Sequence, residues 1–368
     1  MKICFMDPID WDYTVETPYQ RPMGGSQSGL CYLAAELAKR GHLVSFANKT
    51  TTPGTYLGVD CLGSQNGFAV DFLKGQDAIV VLNTCIGESL RKSLGGEGPK
   101  LILWNQHAAD QKVMSFLGQP AERGSWDAFA LISDWQANEF IQKFGLDKSC
   151  VGILRNAISP LFENLALPKP WFANGQAPVF AYTSTPFRGL DVLLTAWPTI
   201  RKLAPGSCLK IYSSMKVYNA NEEAHEILYA LARDLKGVEM VGSVPQPDLA
   251  KALARASILA YPNTFAETSC IAVMEAMAAG CLVVTSDLGA LPETLAGFGI
   301  LLKPLSGTMD FAHAYAEAMR QVLEGVKKDP KGLSEHLKRQ VEFARSEYSW
   351  SFRAKEWEVW LRQVTGKN

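Results

Sequence analysis

Two glutamates stand eight residues apart in one of the most apolar runs of the chain. Residues 265–280 read FAETSCIAVMEAMAAG, with Glu267 at the polar start and Glu275 among small apolar residues. Removing a carboxylate from water costs several kcal/mol, so both side chains need polar partners. At about 1.5 Å per helical residue the carboxylates are expected on the order of 10 Å apart. An extended ligand with polar ends and central phosphates suits this spacing, because helix starts attract anions.

Each glutamate also has an ordinary structural interpretation. Glu267 is then a first-turn acidic residue that favours the helix dipole. Glu275 is then a buried carboxylate paired with a basic residue elsewhere in the chain. The surrounding residues decide between these interpretations and the ligand hypothesis.

Composition limits the classes of protein to be considered. The chain has 368 residues, 47% hydrophobic and 20% charged, which is typical of a soluble globular protein with two domains. A net charge of -1 argues against nucleic acid as a partner. No apolar window reaches about 18 residues, so no transmembrane segment is expected, although peripheral membrane contact stays open. The start, MKICFMDPID, is typical of a first strand and not of a secretory signal.

The cysteines predict a cytoplasmic protein without a disulfide framework. They are scattered with neither C-x-x-C spacing nor a histidine cluster, which favours free thiols over disulfides or zinc; they are Cys4, Cys31, Cys61, Cys85, Cys150, Cys208, Cys270 and Cys281. Asp10-Trp11-Asp12 superficially resembles a metal-binding D-x-D motif, but two-acid turns are common by chance. We therefore expect neither a metal nor another cofactor.

Strand and helix patterns alternate in two series. The first has strand patterns at KICFM, HLVSFA, DAIVVLN, KLILWNQH, AFALISD and SCVGILRN, and a helix at LCYLAAELAKRG. The second has strand patterns at VFAYTS, CLKIYSS, VEMVGS, SILAYPN and CLVVTSD, with helices at LDVLLTAWPTIRKL and over 221–235. These patterns predict an α/β fold of two Rossmann-like domains with a cleft between them, where ligands gather at the carboxyl ends of parallel strands.

Proline and aromatic patterns set the domain boundaries. The proline-rich segment Glu163–Pro178 predicts a linker. We expect a first domain over 1–165, a linker over 166–178, a second domain over 179–346 and a final helix over 347–368. The final helix contains YSWSFRAKEWEVWLRQ, whose aromatic residues recur at helical spacing. It therefore has an apolar face to bury, and we expect that face to return to the first domain.

The order of the motifs resembles one family of enzymes. FAETSCIAVMEAMAAGCLVVTSDLGALPE looks like the glutamate-x7-glutamate segment of retaining family-4 glycosyltransferases, which have the two-domain GT-B fold. Other segments match in order and spacing over nearly the whole chain: GGSQSGLCYLAAELAKRGH, ISDWQANEFIQKFG, VGILRNAISPLF, TSTPFRGLDVLLTAWP, VEMVGSVPQPDLAKALARA and YSWSFRAKEW. The resemblance implies metal-independent transfer of a hexose-type sugar from a nucleoside diphosphate to a hydroxyl acceptor, with retention.

The resemblance also implies roles on the donor side. Glu275 is similar to the glutamate that binds the ribose hydroxyls, and Glu267 to the glutamate near the donor sugar. Arg188 matches one of two basic residues that neutralise the diphosphate, but Thr183 or Ser184 stands at the other position, a departure from the pattern. The remaining donor residues are Ser213, Gly242, Ser243 and Val244, with Thr268, Ser269, Cys270 and Ile271 offering backbone N–H groups.

First-domain residues complete the implied site. Gly24 and Gly25 lie in GGSQSG, which lacks the G-x-G-x-x-G dinucleotide spacing but permits close backbone approach to a ligand. His107 resembles the histidine that contacts the donor sugar, so the implied catalytic set is Glu267, Arg188 and His107. The loop from residue 10 to 23 is the expected acceptor contact, through Tyr19 and Arg21.

Several alternatives stay open at this point. A nucleotide-sugar epimerase would release free nucleotide without an acceptor, and a phosphorylase would usually carry a lysine-bound pyridoxal group. A non-catalytic sugar-nucleotide-binding protein would bind donor without turnover. Uridine donors are favoured, guanosine donors are possible, and the acceptor can be a glycan, a lipid-linked sugar or a small molecule. Front-side transfer and double displacement are both compatible with the residues.

Overall fold

The computed structural model describes residues 1–63, 69–218 and 221–367. Its strands are β1 (Lys2–Met6), β2 (Leu43–Asn48), β3 (Gly54–Tyr56), β4 (Val59–Gly63), β5 (Ala78–Leu82), β6 (Lys100–Asn105), β7 (Ala128–Leu131), β8 (Val151–Ile153), β9 (Val179–Tyr182), β10 (Cys208–Ile211), β11 (Val238–Met240), β12 (Ile258–Tyr261), β13 (Leu282–Ser286) and β14 (Ile300–Leu302). Each strand expected from the sequence is present, and most end before the polar residues that close the apolar run. The patterns did not predict β3, β4 or β14.

Most α-helices lie in the connections between these strands, and the last three follow β14. They are α1 (Thr17–Gln20), α2 (Gly25–Lys39), α3 (Val70–Lys74), α4 (Gly87–Ser93), α5 (Pro120–Arg123), α6 (Asp134–Phe144), α7 (Leu190–Leu203), α8 (Glu226–Asp234), α9 (Gln246–Leu253), α10 (Ile271–Ala278), α11 (Leu291–Leu295), α12 (Thr308–Lys328), α13 (Pro330–Glu347) and α14 (Trp350–Thr365). The charged helix expected over 221–235 is shorter, because a 3-10 turn at Glu223–His225 precedes α8. Within the described residues, no helix is both long and apolar enough to cross a bilayer.

Unit 1 comprises Met1–Gln20, Gly25–Ala157 and Trp350–Asn368. Its sheet has the order β3-β4-β2-β1-β5-β6-β7-β8, with β3 antiparallel to β4 and the other pairs parallel. The central strand β5 reads AIVVL and is buried throughout, as expected where helices cover both faces of a parallel sheet.

The C-terminal helix α14 belongs to unit 1, where it packs against α2. Trp350, Trp357 and Leu361 on its inner face are fully buried, which is the helical spacing that the aromatic pattern predicts. A Cβ atom added to Gly29 of α2 would lie 3.3 Å from the Trp350 ring. The small residue thus lets the two helices approach closely.

Unit 2 comprises Arg21–Gly24 and Ile158–Ser349. Its sheet is parallel, with the order β11-β10-β9-β12-β13-β14. Trp171, from the proline-rich segment before β9, is buried in the core of this unit. The chain leaves β9 toward β10 and β11 on one side and continues through β12 to β14 on the other. Such a reversal of strand order is where open α/β sheets place their ligands, at the carboxyl ends of the strands.

Two loops meet at this reversal in unit 2, one after β9 and one after β12. Gly189, which precedes α7, has a φ of 96°, and a Cβ atom there would lie 2.0 Å from the Pro262 carbonyl oxygen. Only glycine allows this approach of the two backbones. The contact positions the side chains that follow each strand.

Candidate active site

The loop after β12 holds Glu267 through its backbone. Glu267 forms a parallel bridge with Gly289, and its carbonyl oxygen accepts a hydrogen bond of 2.7 Å from the Ala290 N–H. A Cβ atom at Gly289 would lie 2.4 Å from that oxygen, and the φ of 63° at Gly289 is itself one that favours glycine. The Glu267 side chain is consequently fixed by the fold, with 4% of the residue exposed.

Replacing Gly289 by alanine is therefore expected to destabilise unit 2. The added methyl group collides with the Glu267 backbone, so Gly289→Ala should lower the free energy of unfolding by about 2 kcal/mol more than Gly297→Ala does. Gly297 is the matched control, because it has a φ of 85° but nothing within 4 Å of an added Cβ atom. Urea denaturation of both variants measures the difference, and equal losses would show that contact with Glu267 does not matter.

One oxygen of the Glu267 carboxylate accepts hydrogen bonds from two side chains. Arg188 Nη1 lies 2.8 Å from Glu267 Oε1, and Tyr261 Oη donates to the same oxygen at 2.5 Å. Ser184 Oγ lies 3.3 Å from Tyr261 Oη. Residues from the loops after β9 and β12 are thus connected around one carboxylate.

The Arg188 guanidinium lies beside two adjacent aromatic rings and is partly buried. Its Cζ atom lies 4.6 Å from the centroid of Phe265 and 5.5 Å from that of Phe187. Burial alone lowers the pKa of this group, but the Glu267 carboxylate, with smaller contributions from nearby tyrosines, raises the pKa above its usual value. Arg188 therefore stays cationic, and its Nε atom has no hydrogen-bond partner among the residues that the structure describes. A fixed cation at this edge can bind an anionic group.

Glu275 lies in α10 with 3% of its surface exposed. The Ser159 N–H donates to Glu275 Oε1 at 3.3 Å, and the Gln246 side chain also hydrogen bonds to the carboxylate. Among the described residues, no cation lies within ion-pair distance of Glu275, so its interpretation as the partner of a basic residue does not apply. The ion pair is formed by Glu267, with Arg188. Burial raises the pKa of Glu275 to about 7, against the lowering effect of its two hydrogen-bond donors.

This raised pKa predicts a pH-dependent free energy of unfolding. The Glu275 carboxyl group holds its proton more tightly in the folded state than in the unfolded state, where its pKa is 4.5. Its contribution to the free energy of unfolding is therefore largest below pH 4.5 and is lost as the pH rises through about 7. The loss is on the order of 3 kcal/mol. Urea denaturation between pH 4.5 and about 7 should show a decline in the free energy of unfolding of the wild-type protein. The decline should be absent in Glu275→Gln and present in Glu335→Gln, an exposed control on α13. An unchanged profile in Glu275→Gln would contradict the assignment.

The two residues that hydrogen bond to Glu275 each carry a further buried polar atom. Among the described residues, Ser159 Oγ and Gln246 Oε1 have no hydrogen-bond partner. Gln246 is the first residue of α9 and follows the loop through Gly242, which has a φ of 80°. The predicted donor residues Gly242, Ser243 and Val244 therefore lead directly to a partner of Glu275.

The start of α10 supplies the remaining predicted donor residues. Cys270 precedes the helix, its side chain makes no capping hydrogen bond, and its carbonyl oxygen accepts from the N–H groups of Val273 and Met274. N–H groups in the first turn of a helix have no acceptor within the helix. Thr268 and Ser269 lie in the segment between Glu267 and Cys270, and Thr268 is buried. Ser213 is also buried, after β10.

Several predicted residues lie in unit 1. His107 follows β6; burial lowers the pKa of its imidazole, and its carbonyl oxygen accepts from Gln136 Nε2 at 2.8 Å. The Tyr19 ring packs edge-on to Tyr32, with 5.6 Å between centroids. Gly25 begins α2 in unit 1, whereas Gly24 and the exposed Arg21 belong to the short segment grouped with unit 2. The roles of these residues stay predictions.

Acidic residues near the N-terminus have structural partners. Asp12 accepts hydrogen bonds from the N–H and hydroxyl groups of Thr51 at 2.9 and 2.5 Å. The described part of the chain contains no group of three or more metal-ligating side chains. Asp7, directly after β1, is buried and accepts from Tyr13 Oη at 2.5 Å and Gln27 Nε2 at 3.2 Å, while burial raises the pKa of its carboxyl group.

Sequence patterns missed four residues of these clusters: Asp7, Ser159, Gln246 and Tyr261. Asp7 and Tyr261 had a signal, because each lies at the carboxyl end of a predicted strand. Ser159 and Gln246 had none, because they are distant in sequence from Glu275 and only the fold brings them to its carboxylate.

Comparisons with known proteins agree with this fold. Residues 178–324 match the family model described as glycosyl transferases group 1. The whole chain is similar in structure to sucrose-phosphate synthase from Thermosynechococcus elongatus, with a TM-score of 0.74, 15% identity and 100% of both chains covered. It is also similar to Anabaena Alr3699/HepE in complex with UDP-glucose, with a TM-score of 0.70, 15% identity, and 99% of this chain and 100% of that chain covered.

A third similar structure is WaaG, a glycosyltransferase involved in lipopolysaccharide biosynthesis, with a TM-score of 0.65, 16% identity, and 99% of this chain and 100% of that chain covered. The comparison with curated proteins finds no match. At these identities the structural likeness concerns the fold. The chain therefore has the GT-B fold, and its residues 178–324 are similar in sequence to the glycosyl transferases group 1 model.

Proposed function

We propose that this chain is a retaining, metal-independent glycosyltransferase that moves a hexose-type sugar from a nucleoside diphosphate, preferably UDP, to a hydroxyl acceptor. The observation that carries the proposal is Glu275, a buried carboxylate without a cationic partner among the described residues, inside a domain that matches the group 1 glycosyltransferases. Ribose hydroxyls would add hydrogen-bond donors to those that Ser159 and Gln246 already supply to this carboxylate.

The remaining residues of unit 2 fit the other parts of such a donor. Arg188 and the backbone N–H groups of Cys270 and Ile271, at the start of α10, would bind the diphosphate and offset the charge that develops on it as its bond to the sugar breaks. Glu267 would hold the donor sugar through its second carboxylate oxygen. His107 would contact the sugar as a neutral imidazole, and Tyr19 and Arg21 would contact the acceptor. The cysteines are free thiols, which favours a reducing cytoplasm as the place of action.

Ligand-dependent stabilisation tests this proposal. Thermal denaturation is followed with UDP, UDP-glucose, GDP, GDP-mannose and, as a control, inorganic pyrophosphate. A nucleotide present at about 100 times its dissociation constant should stabilise the protein by about 2.7 kcal/mol, and pyrophosphate should do so far less. Binding of a nucleotide without any release of nucleoside diphosphate from its sugar form would favour a non-catalytic binding protein. No response to any nucleotide would contradict the proposal.

A further inference from the structure

Tyr261 connects the two loops of unit 2 through its hydroxyl group. It is the last residue of β12, with 1% of its surface exposed, and its ring packs edge-on to Tyr182 at 5.8 Å between centroids. Its Oη atom lies 2.5 Å from Glu267 Oε1 and 3.3 Å from Ser184 Oγ. No motif in the sequence identified this residue as part of the site.

The directions of these hydrogen bonds follow from which of the three groups has a proton to donate. Burial and the neighbouring Glu267 carboxylate raise the pKa of Tyr261 well above its ordinary value, so the phenol keeps its one proton. A carboxylate can only accept, so that proton lies toward Glu267. The Ser184 hydroxyl must then donate to Tyr261 Oη. The resulting chain runs from Ser184 through Tyr261 to Glu267 Oε1, which also accepts from Arg188.

We propose that Tyr261 is a positioning residue that fixes the Glu267 carboxylate toward the donor sugar and couples it to the diphosphate loop through Ser184. This inference rests on the proposed function of the same site. With Oε1 occupied by Tyr261 and Arg188, Oε2 is the oxygen that faces a ligand. A phosphate oxygen arriving at Ser184 withdraws that hydroxyl from Tyr261, so occupancy of the diphosphate loop changes the hydrogen bonding of Glu267. The sequence resemblance implies a second cation where Thr183 or Ser184 stands, and in this inference the hydroxyl chain from Ser184 takes the place of that cation.

Phenylalanine at position 261 removes the hydroxyl group and keeps the ring. For Tyr261→Phe we expect kcat for release of UDP from UDP-sugar, or of GDP from GDP-sugar, to fall about 10- to 100-fold, the equivalent of one hydrogen bond to a charged group. The dissociation constant for UDP or GDP alone should change less than about threefold, because Tyr261 acts through the sugar-side carboxylate. This separation of kcat from nucleotide affinity is not expected of a purely structural residue.

Tyr348→Phe is the matched control. Tyr348 is a buried tyrosine of the same unit, and its hydroxyl donates to the Thr294 carbonyl oxygen at 2.7 Å. Both variants should lose similar stability, but Tyr348→Phe should keep wild-type kcat. An equal fall of kcat in both variants, or unchanged kcat in Tyr261→Phe, would overturn the inference.

Ser184→Ala supplies a second test through a double-mutant cycle. If the hydroxyl chain carries the coupling, Ser184→Ala lowers kcat in the wild-type background and has a much smaller effect in Tyr261→Phe. Independent effects of the two substitutions would overturn the coupling. A wild-type protein that binds no nucleotide would overturn the proposed function and this inference with it, whereas nucleotide turnover with unchanged Tyr261→Phe kinetics would overturn this inference alone.

Discussion

Arg188→Gln is expected to reduce donor turnover by about 1,000-fold and to lower the free energy of unfolding by about 2 to 4 kcal/mol. Both losses have the same origin. The substitution removes the cation proposed to bind the diphosphate, and it leaves the buried Glu267 carboxylate with Tyr261 as its hydrogen-bond donor. The lower end of the stability range applies because the Arg188 side chain is 20% exposed, so water partly screens its attraction to Glu267.

A double-mutant cycle separates the structural loss from the functional one. In Arg188→Gln/Glu267→Gln the buried charge is gone, so stability should recover by at least about 1 kcal/mol relative to the sum of the single variants. Turnover should not recover, because both proposed ligand contacts are lost. Arg320→Gln, in an exposed ion pair of α12, is the control and should leave turnover unchanged. Additive stability losses together with normal turnover would contradict the roles given to Arg188 and Glu267.

Glu275→Gln is expected to weaken the binding of nucleoside diphosphates by about 10- to 100-fold. Glutamine keeps one acceptor oxygen but has no charge, so the hydrogen bonds from the ribose hydroxyls lose their charge assistance. The fold should persist, because the substitution removes a buried carboxylate without a cationic partner among the described residues. Isothermal titration of UDP and GDP measures the change, with Glu335→Gln as the charge-matched control.

The pH dependence of binding gives this prediction a specific signature. Ribose hydroxyls donate to the ionised form of Glu275, whereas the ligand-free carboxyl group has a pKa of about 7. Nucleotide binding therefore releases a proton, and affinity should fall by up to about tenfold per pH unit below pH 7. Glu275→Gln should lack this slope. A wild-type affinity that does not vary with pH, or a Glu275→Gln variant that binds as tightly as wild type, would contradict the ribose contact.

Hydrophobic patterning was sufficient to predict the parallel sheets. Runs such as AIVVL in β5 and ILAY in β12 are buried throughout, so their apolar sequence follows directly from helices on both faces. The strands β3 and β4 were missed because GTY and VDCLG contain too few consecutive apolar residues to form a strand pattern, and β14 was missed although ILL is apolar. The aromatic spacing of α14 predicted its buried face correctly.

The site was predictable only in part. Glu267 and Glu275 stood out because carboxylates in an apolar run need an explanation, and Arg188 stood out because it follows a strand. Their partners could not be found in the same way. The pairing of Arg188 with Glu267 depends on the approach of two backbones at Gly189 and Pro262, and the Ser159 contact spans 116 residues of sequence. A linear pattern contains no signal for such contacts.

The most direct test of the central claim follows the anomeric proton of the donor by NMR. Purified protein is incubated separately with UDP-glucose and GDP-mannose, and Arg188→Gln serves as the inactive control. We expect at least one donor to disappear, with release of nucleoside diphosphate and first appearance of a product with the same anomeric configuration, through slow transfer to water or faster transfer to an added hydroxyl acceptor. Unchanged donors in the presence of wild-type protein, together with no binding of either donor, would contradict the account.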